Sequence, residues 1–142
     1  MNPEIEIIPF NFERDYAQAI ALWQASEPGV HVGASDSPEE IRKKLTYHPE
    51  LFLTARRDEQ LIGTVIGGFD GRRGIIYHLA VHRDHRHLGI GTQLMEAVER
   101  GLHNLGCIRA YLLVVPGNPE VEAFYQKRGW QPMNVLTFGK NL

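Results

Sequence analysis

The sequence predicts a mixed α/β fold, a central sheet of mixed strand direction with helices laid against it. Two observations lead there. Residues 51–57, 61–69 and 75–81 are short apolar runs divided only by turn residues, so they read as three successive antiparallel strands. A helical pattern over residues 92–105 then divides 75–81 from another apolar run, 109–115, and two strands joined through a helix run parallel. Antiparallel strands followed by a strand–helix–strand crossover make a mixed sheet.

Each element has its own signal. Ile5, Ile7 and Pro9 alternate with Glu4, Glu6 and Ile8, which predicts a first strand. Asn11 is placed to cap a helix in which Phe12, Tyr16, Ala19, Ile20 and Trp23 recur at helical spacing. Trp23, near its end, is either core or pocket wall. Residues 27–36 hold two glycines and a proline without a sustained period, and form a loop. Ser37-Pro38-Glu39-Glu40 starts a second helix, with Ser37 as cap, Pro38 in the first turn and Glu40 closing a capping box; Tyr47-His48-Pro49 ends it. Asp58-Glu59-Gln60 turns the chain from 51–57 into 61–69, whose Gly63, Gly67 and Gly68 allow a bulge or a close backbone approach. Residues 70–74 are a second turn.

Beyond residue 92, Leu94, Met95, Val98, Leu102 and Leu105 share one helix face, and Gly106 stops the helix. Cys107 reads as a small buried apolar residue entering the fifth strand. Pro116-Gly117-Asn118-Pro119 breaks that strand. Asn118 is placed to cap a short helix carrying Val121, Phe124 and Tyr125, which Gly129 ends. Residues 135–139 predict a last strand.

Composition narrows the class. A chain of 142 residues suits one domain, 1–142, and its 43% hydrophobic and 23% charged residues are those of an ordinary soluble globule. A net charge of −2 gives no bulk attraction to nucleic acid or to an anionic membrane. One cysteine excludes a disulfide framework within the chain and fits a cytoplasmic setting. No apolar run approaches the roughly 20 residues that span a bilayer, and the acidic, alternating N-terminus is unlike a signal peptide.

The chain is organised around Val81-His82-Arg83-Asp84-His85-Arg86-His87-Leu88-Gly89-Ile90-Gly91-Thr92, where a strand feeds a basic, glycine-bearing turn and the turn feeds a helix. Gly89 and Gly91 let another group approach the backbone. The first N–H groups of the helix have no intrahelical partner and sit at the positive end of its dipole, so the corner suits a phosphate. A dinucleotide fingerprint needs a third glycine where Leu94 stands, and no Gly-Lys-Ser or Gly-Lys-Thr supplies a P-loop. His82, His85 and His87 offer imidazoles for a metal, but no cysteine or carboxylate cluster completes a closed site, so none is expected.

Arg86-His87-Leu88-Gly89-Ile90-Gly91 resembles the R/Q-x-x-G-x-G/A signature of the GNAT superfamily of acetyl-CoA-dependent N-acetyltransferases. The segment from Asn118 through Phe124-Tyr125-Gln126-Lys127-Arg128-Gly129-Trp130 resembles its second signature, with the alanine shifted. The resemblance implies a six- to seven-stranded mixed sheet flanked by about four helices, with the two central parallel strands splayed. It implies acetyl-CoA as co-substrate, held at Leu79, Ala80, Val81, Arg86, His87, Leu88, Gly89, Ile90, Gly91, Thr92 and Asn118, the last being equally a plain helix cap. An amine acceptor follows: a peptide N-terminus, a lysine or a small amine. A homodimer stays open. The family borders its acceptor site with the region between the first two helices, which here contains Glu27, His31 and Asp36.

Acetyl transfer from a thioester to an amine needs the thioester held, its carbonyl polarised, the amine deprotonated and the leaving thiolate protonated. Backbone near 79–81 can pair with the pantetheine arm like an added strand. Tyr125 stands where the family has its general acid, and a phenol's reference pKa of about 10 suits a thiolate leaving group. The alternative for Tyr125 is a core aromatic. The histone-modifying branch carries a glutamate on the central strand, where this chain has Ile75. His78, Asp70 and a relay of water are the remaining candidates for the base. A non-catalytic acyl-CoA sensor on the same fold is the competing reading.

Overall fold

The computed structural model describes residues 4–142; the start of the N-terminal stretch read as unlike a signal peptide lies outside the described residues. The element order is β1 (Glu6–Pro9), α1 (Phe12–Gln24), α2 (Pro38–Lys44), β2 (Phe52–Arg57), β3 (Gln60–Phe69), β4 (Gly74–Val81), α3 (Ile90–Asn104), β5 (Ala110–Leu112) and α4 (Pro119–Gln126). The strands form one sheet in the order β1-β2-β3-β4-β5, antiparallel except for the β4–β5 pair. This is the mixed α/β architecture the sequence predicts, with four α-helices.

Among the described residues five strands form, not six to seven. Residues 135–139, expected as a last strand, are exposed and pair with nothing. Residues 109–115 give only three residues of β5, because its parallel register with β4 stops at Ile76↔Leu112. A strand is stabilised by its neighbour more than by its own composition. Leu113, Leu136 and Phe138 accordingly lie exposed.

Two cores flank the sheet. Leu94, Met95, Val98 and Leu102 of α3 pack with Leu53, Ile62, Val65 and Ile76. Ala19, Leu22, Trp23 and Ile41 of α1 and α2 pack with Phe52, Leu61 and Ile66. Adjacent residues such as Phe52 and Leu53 enter different cores, since successive side chains of a strand point to opposite faces. The central strands are therefore apolar throughout instead of alternating. The β3 glycines bring α3 close: a Cβ on Gly67 would stand 2.6 Å from Val98 Cγ2.

The helix starts follow the sequence. Asn11 Oδ1 accepts from the Arg14 N–H at 3.0 Å, and Ser37 Oγ from the Glu40 N–H at 3.2 Å. The capping box does not close, because the Glu40 carboxylate pairs with Lys43 instead. Asp15 is fully buried on α1, where Arg14, Arg56 and the Asn11 N–H satisfy its carboxylate. Among the described residues, no helix is long and apolar enough to cross a membrane.

Candidate active site

The centre of β4 is irregular. Its register with β3 steps from Ile66↔Tyr77 to Thr64↔Ala80, so His78 and Leu79 together oppose Val65. Such a bulge inserts one residue and re-aims side chains. His78 takes a left-handed backbone, φ 52°. A short chain of hydrogen bonds holds it there: Trp23 Nε1 donates to Thr64 Oγ1 at 2.8 Å, and Thr64 Oγ1 donates to the His78 carbonyl at 2.8 Å. Trp23 is thus core, fully buried, with the His78 ring edge-on to it at 4.7 Å.

His78 Nε2 lies 2.8 Å from Asp36 Oδ1. Asp36 ends a 3-10 turn, Ala34–Asp36, and its other carboxylate oxygen accepts the Gly33 N–H at 3.0 Å. Both residues line a cavity of about 290 Å³ with His31, Ser35, Lys44 and Tyr77. Burial first, and the Asp36 charge second, push the Tyr77 phenol up. Glu27 pairs with His31 at the surface, 3.3 Å apart, and is not among the lining residues.

Beyond Ile76 the two central parallel strands part, and residues 77–81 of β4 have no partner on β5. Leu79, Ala80 and Val81 border that fork. The turn after β4 is tied back to it by Arg86, whose Nε donates to the Val81 carbonyl at 3.1 Å. His87 and Gly89 take left-handed backbones, φ 64° and 82°, and Gly89 caps α3 without a side-chain hydrogen bond. The N–H groups of Ile90, Gly91 and Thr92 in the first helical turn therefore lack intrahelical acceptors. A Cβ on Gly89 would meet nothing within 4 Å, so the space in front of that turn is open. Leu88 is exposed beside it, and Ile90 is buried in the α3 core.

Gly91 serves a different contact. A Cβ there would stand 3.2 Å from the Phe124 ring, so the group that approaches its backbone is α4. Thr92 Oγ1 accepts from Arg128 Nε at 2.9 Å, and the Arg128 guanidinium stacks 3.7 Å above Phe124. Arg128 thereby adds a cation beside the α3 N-terminus. Nothing local in the sequence marks it, apart from its i+4 spacing to Phe124. Asn118 caps α4, its Oδ1 accepting the Val121 N–H at 3.3 Å.

Tyr125 is half-buried on α4, and burial pushes its phenol up to about 12. It lines an opening of about 1,030 Å³ between α3, β5, α4 and the C-terminal residues, together with Tyr111, Trp130 and Leu136. His78 and Tyr125 share no lining residue, so they border different openings. Asp70 is remote from both. Its Oδ1 accepts the Arg72 and Arg73 N–H groups at 2.7 Å each in the β3–β4 turn, and these bonds hold its carboxyl below the usual carboxylate range. His82 and His85 rings meet edge-on at 5.5 Å. Among the described residues, no three potential ligands converge on a metal position.

Residues 16–130 match the model of the acetyltransferase (GNAT) family. An acetyltransferase of Pectobacterium atrosepticum is 34% identical over 128 residues, which cover 90% of this chain and 89% of that protein. Among solved structures, the PaiA N-acetyltransferase of Thermoplasma acidophilum, in complex with coenzyme A, aligns with a TM-score of 0.79 at 21% identity, over 93% of this chain and 92% of that one. AAC(6')-Iy in complex with the bisubstrate analog CoA-S-monomethyl-acetylneamine aligns with a TM-score of 0.75 at 19% identity, over 98% and 99% of the two chains.

Proposed function

Because the chain belongs to the acetyltransferase (GNAT) family, we propose that it moves an acetyl group from acetyl-CoA to a primary amine by direct transfer, with Tyr125 as general acid and His78 as general base. The observation that carries this reading is the first turn of α3: unpaired N–H groups, no capping side chain, and open space in front of Gly89. A pyrophosphate fits such a corner by charge and by shape. The fork between β4 and β5 supplies exposed main chain for a pantetheine arm, which adds to a strand edge through backbone hydrogen bonds.

The thioester, when bound, supplies an acyl carbon open to attack and a sulfur leaving group. The protein's own groups handle the protons. His78 faces the α1–α2 side, where the cavity of about 290 Å³ offers room for a small amine or the end of a longer one. Its free ring nitrogen takes the proton that the amine sheds as the N–C bond forms. Tyr125 gives its phenolic proton to sulfur as the C–S bond breaks. With its phenol raised to about 12, Tyr125 is a weaker acid than a free phenol, but it stays protonated across the neutral range, so a proton is at hand when the sulfur leaves.

A panel of amines assayed by free-thiol release, beside calorimetric titration with coenzyme A, tests the proposal. Turnover with at least one amine class, and a dissociation constant sensitive to Gly89, are expected. Coenzyme A binding with no thiol release from any amine would replace the enzyme by a sensor.

A further inference from the structure

We infer that Asp36 is a positioning residue for His78: it holds the imidazole in the tautomer whose unprotonated nitrogen, Nδ1, faces the acceptor. The inference rests on the acetyl-transfer reading only for its kinetic consequence. The geometry stands separately.

His78 occupies a backbone region that bulky residues seldom adopt, at a bulge that brings two consecutive side chains, Tyr77 and His78, to one cavity. Backbone outliers of this kind persist only where surrounding contacts fix them. Here those contacts are Thr64 at the His78 carbonyl, Trp23 behind Thr64, and Asp36 at the ring.

Asp36 is itself held on two sides. The Gly33 N–H binds one carboxylate oxygen, and the Tyr16 hydroxyl donates to its carbonyl at 2.7 Å. The residue is 6% exposed, so its carboxylate has little water to turn to. An ionised carboxylate can only accept, so the ring nitrogen facing it, Nε2, must carry the hydrogen. The other nitrogen, Nδ1, then holds the lone pair. It has no protein partner, and the only buried side-chain nitrogen or oxygen without one, among the described residues, is His85 Nδ1. His78 Nδ1 is therefore reachable from solvent. When it takes a proton, the imidazolium gains no second anionic contact and keeps its Nε2–H on Asp36. The other titratable groups lining the cavity are His31, Lys44 and Tyr77, and none of them hydrogen-bonds the ring. Lys44 Nζ is turned to the Tyr47 carbonyl at 2.6 Å, and Tyr77 meets the ring only edge-on at 5.5 Å.

The test has a spectroscopic arm and a kinetic arm, both on the full chain. Nitrogen-15 NMR of the imidazoles, assigned through His78→Gln, should show His78 protonated at Nε2 and bare at Nδ1 in the wild type, and a mixed or reversed pattern in Asp36→Asn. With the best amine of the panel and saturating acetyl-CoA, Asp36→Asn should lower kcat by about 100-fold, with the coenzyme A dissociation constant unchanged. Asp36→Asn/His78→Gln should be no slower than His78→Gln alone, because the two residues act as one unit. A wild-type ring protonated at Nδ1 overturns the inference, as does a folded Asp36→Asn protein with kcat within about twofold of wild type. If Asp36→Asn fails to fold, the wild-type spectrum decides. If no amine is acetylated at all, the transfer reading falls, while the NMR arm still decides the pairing.

Discussion

Arg128 Nε donates to Thr92 Oγ1 at 2.9 Å, which carries a cation from the end of α4 to the first turn of α3. Arg128→Ala should weaken coenzyme A binding about tenfold, the scale of one hydrogen bond to a charged group. Calorimetry at low and high salt checks it. Unchanged affinity would reduce Arg128 to a strut between the two helices.

Gly89 combines φ 82° with open space where a side chain would stand. Gly89→Ala should cost about 1 kcal/mol through backbone strain alone. Gly89→Glu should abolish coenzyme A binding by adding bulk and negative charge in front of the helix N-terminus. If affinity survives in the Glu variant, the diphosphate docks elsewhere.

Tyr125→Phe should lower turnover with little change in coenzyme A affinity; an unchanged rate removes it as the acid. It has a stability signature as well. The folded phenol is raised above the unfolded value of about 10. The folded protein therefore holds this proton longer, so the stabilisation is complete below pH 10 and lost as pH rises towards 12. Melting temperatures taken from pH 9 to 12 should fall less steeply in Tyr125→Phe. Tyr16 and Tyr77, also raised by burial, and Lys43, raised by its hydrogen bond to Glu40, contribute to the decline that remains. Identical slopes would mean that Tyr125 is not desolvated.

Asp15 is buried against Arg56. Asp15→Ala leaves that guanidinium unpaired and should cost about 3–5 kcal/mol of stability. Urea denaturation with an unchanged m-value measures it. A loss under about 1 kcal/mol would show that Arg56 reaches water once its partner is gone.

What the sequence made legible was local. Asn11, Ser37 and Asn118 cap the helices they precede, because a cap reaches only three residues along the chain. The three antiparallel strands follow from runs and turns that adjoin. The failures are of range. Residues 135–139 have strand composition but meet no strand edge. Asp36 and His78 are 42 positions apart, and Asp15 and Arg56 are 41 apart; no spacing rule connects them before the sheet is built. The fork at β4 was foreseeable only through the family resemblance. The bulge that gives His78 its direction left no mark beyond the glycines of the neighbouring strand.

The bulge also resets parity along β4. Ile76 packs into the α3 core, and Ala80, four positions on, packs into the α1 core, although an even step in a regular pleat returns to the same side. The two halves of the strand are thus read in opposite frames. Deleting a single residue at position 78 or 79 would merge the frames into one regular pleat, with Ala80 and Val81 still opposite Thr64 and Gly63 and on their present sides. What the deletion would take away is the extra residue that turns His78 towards the α1 side.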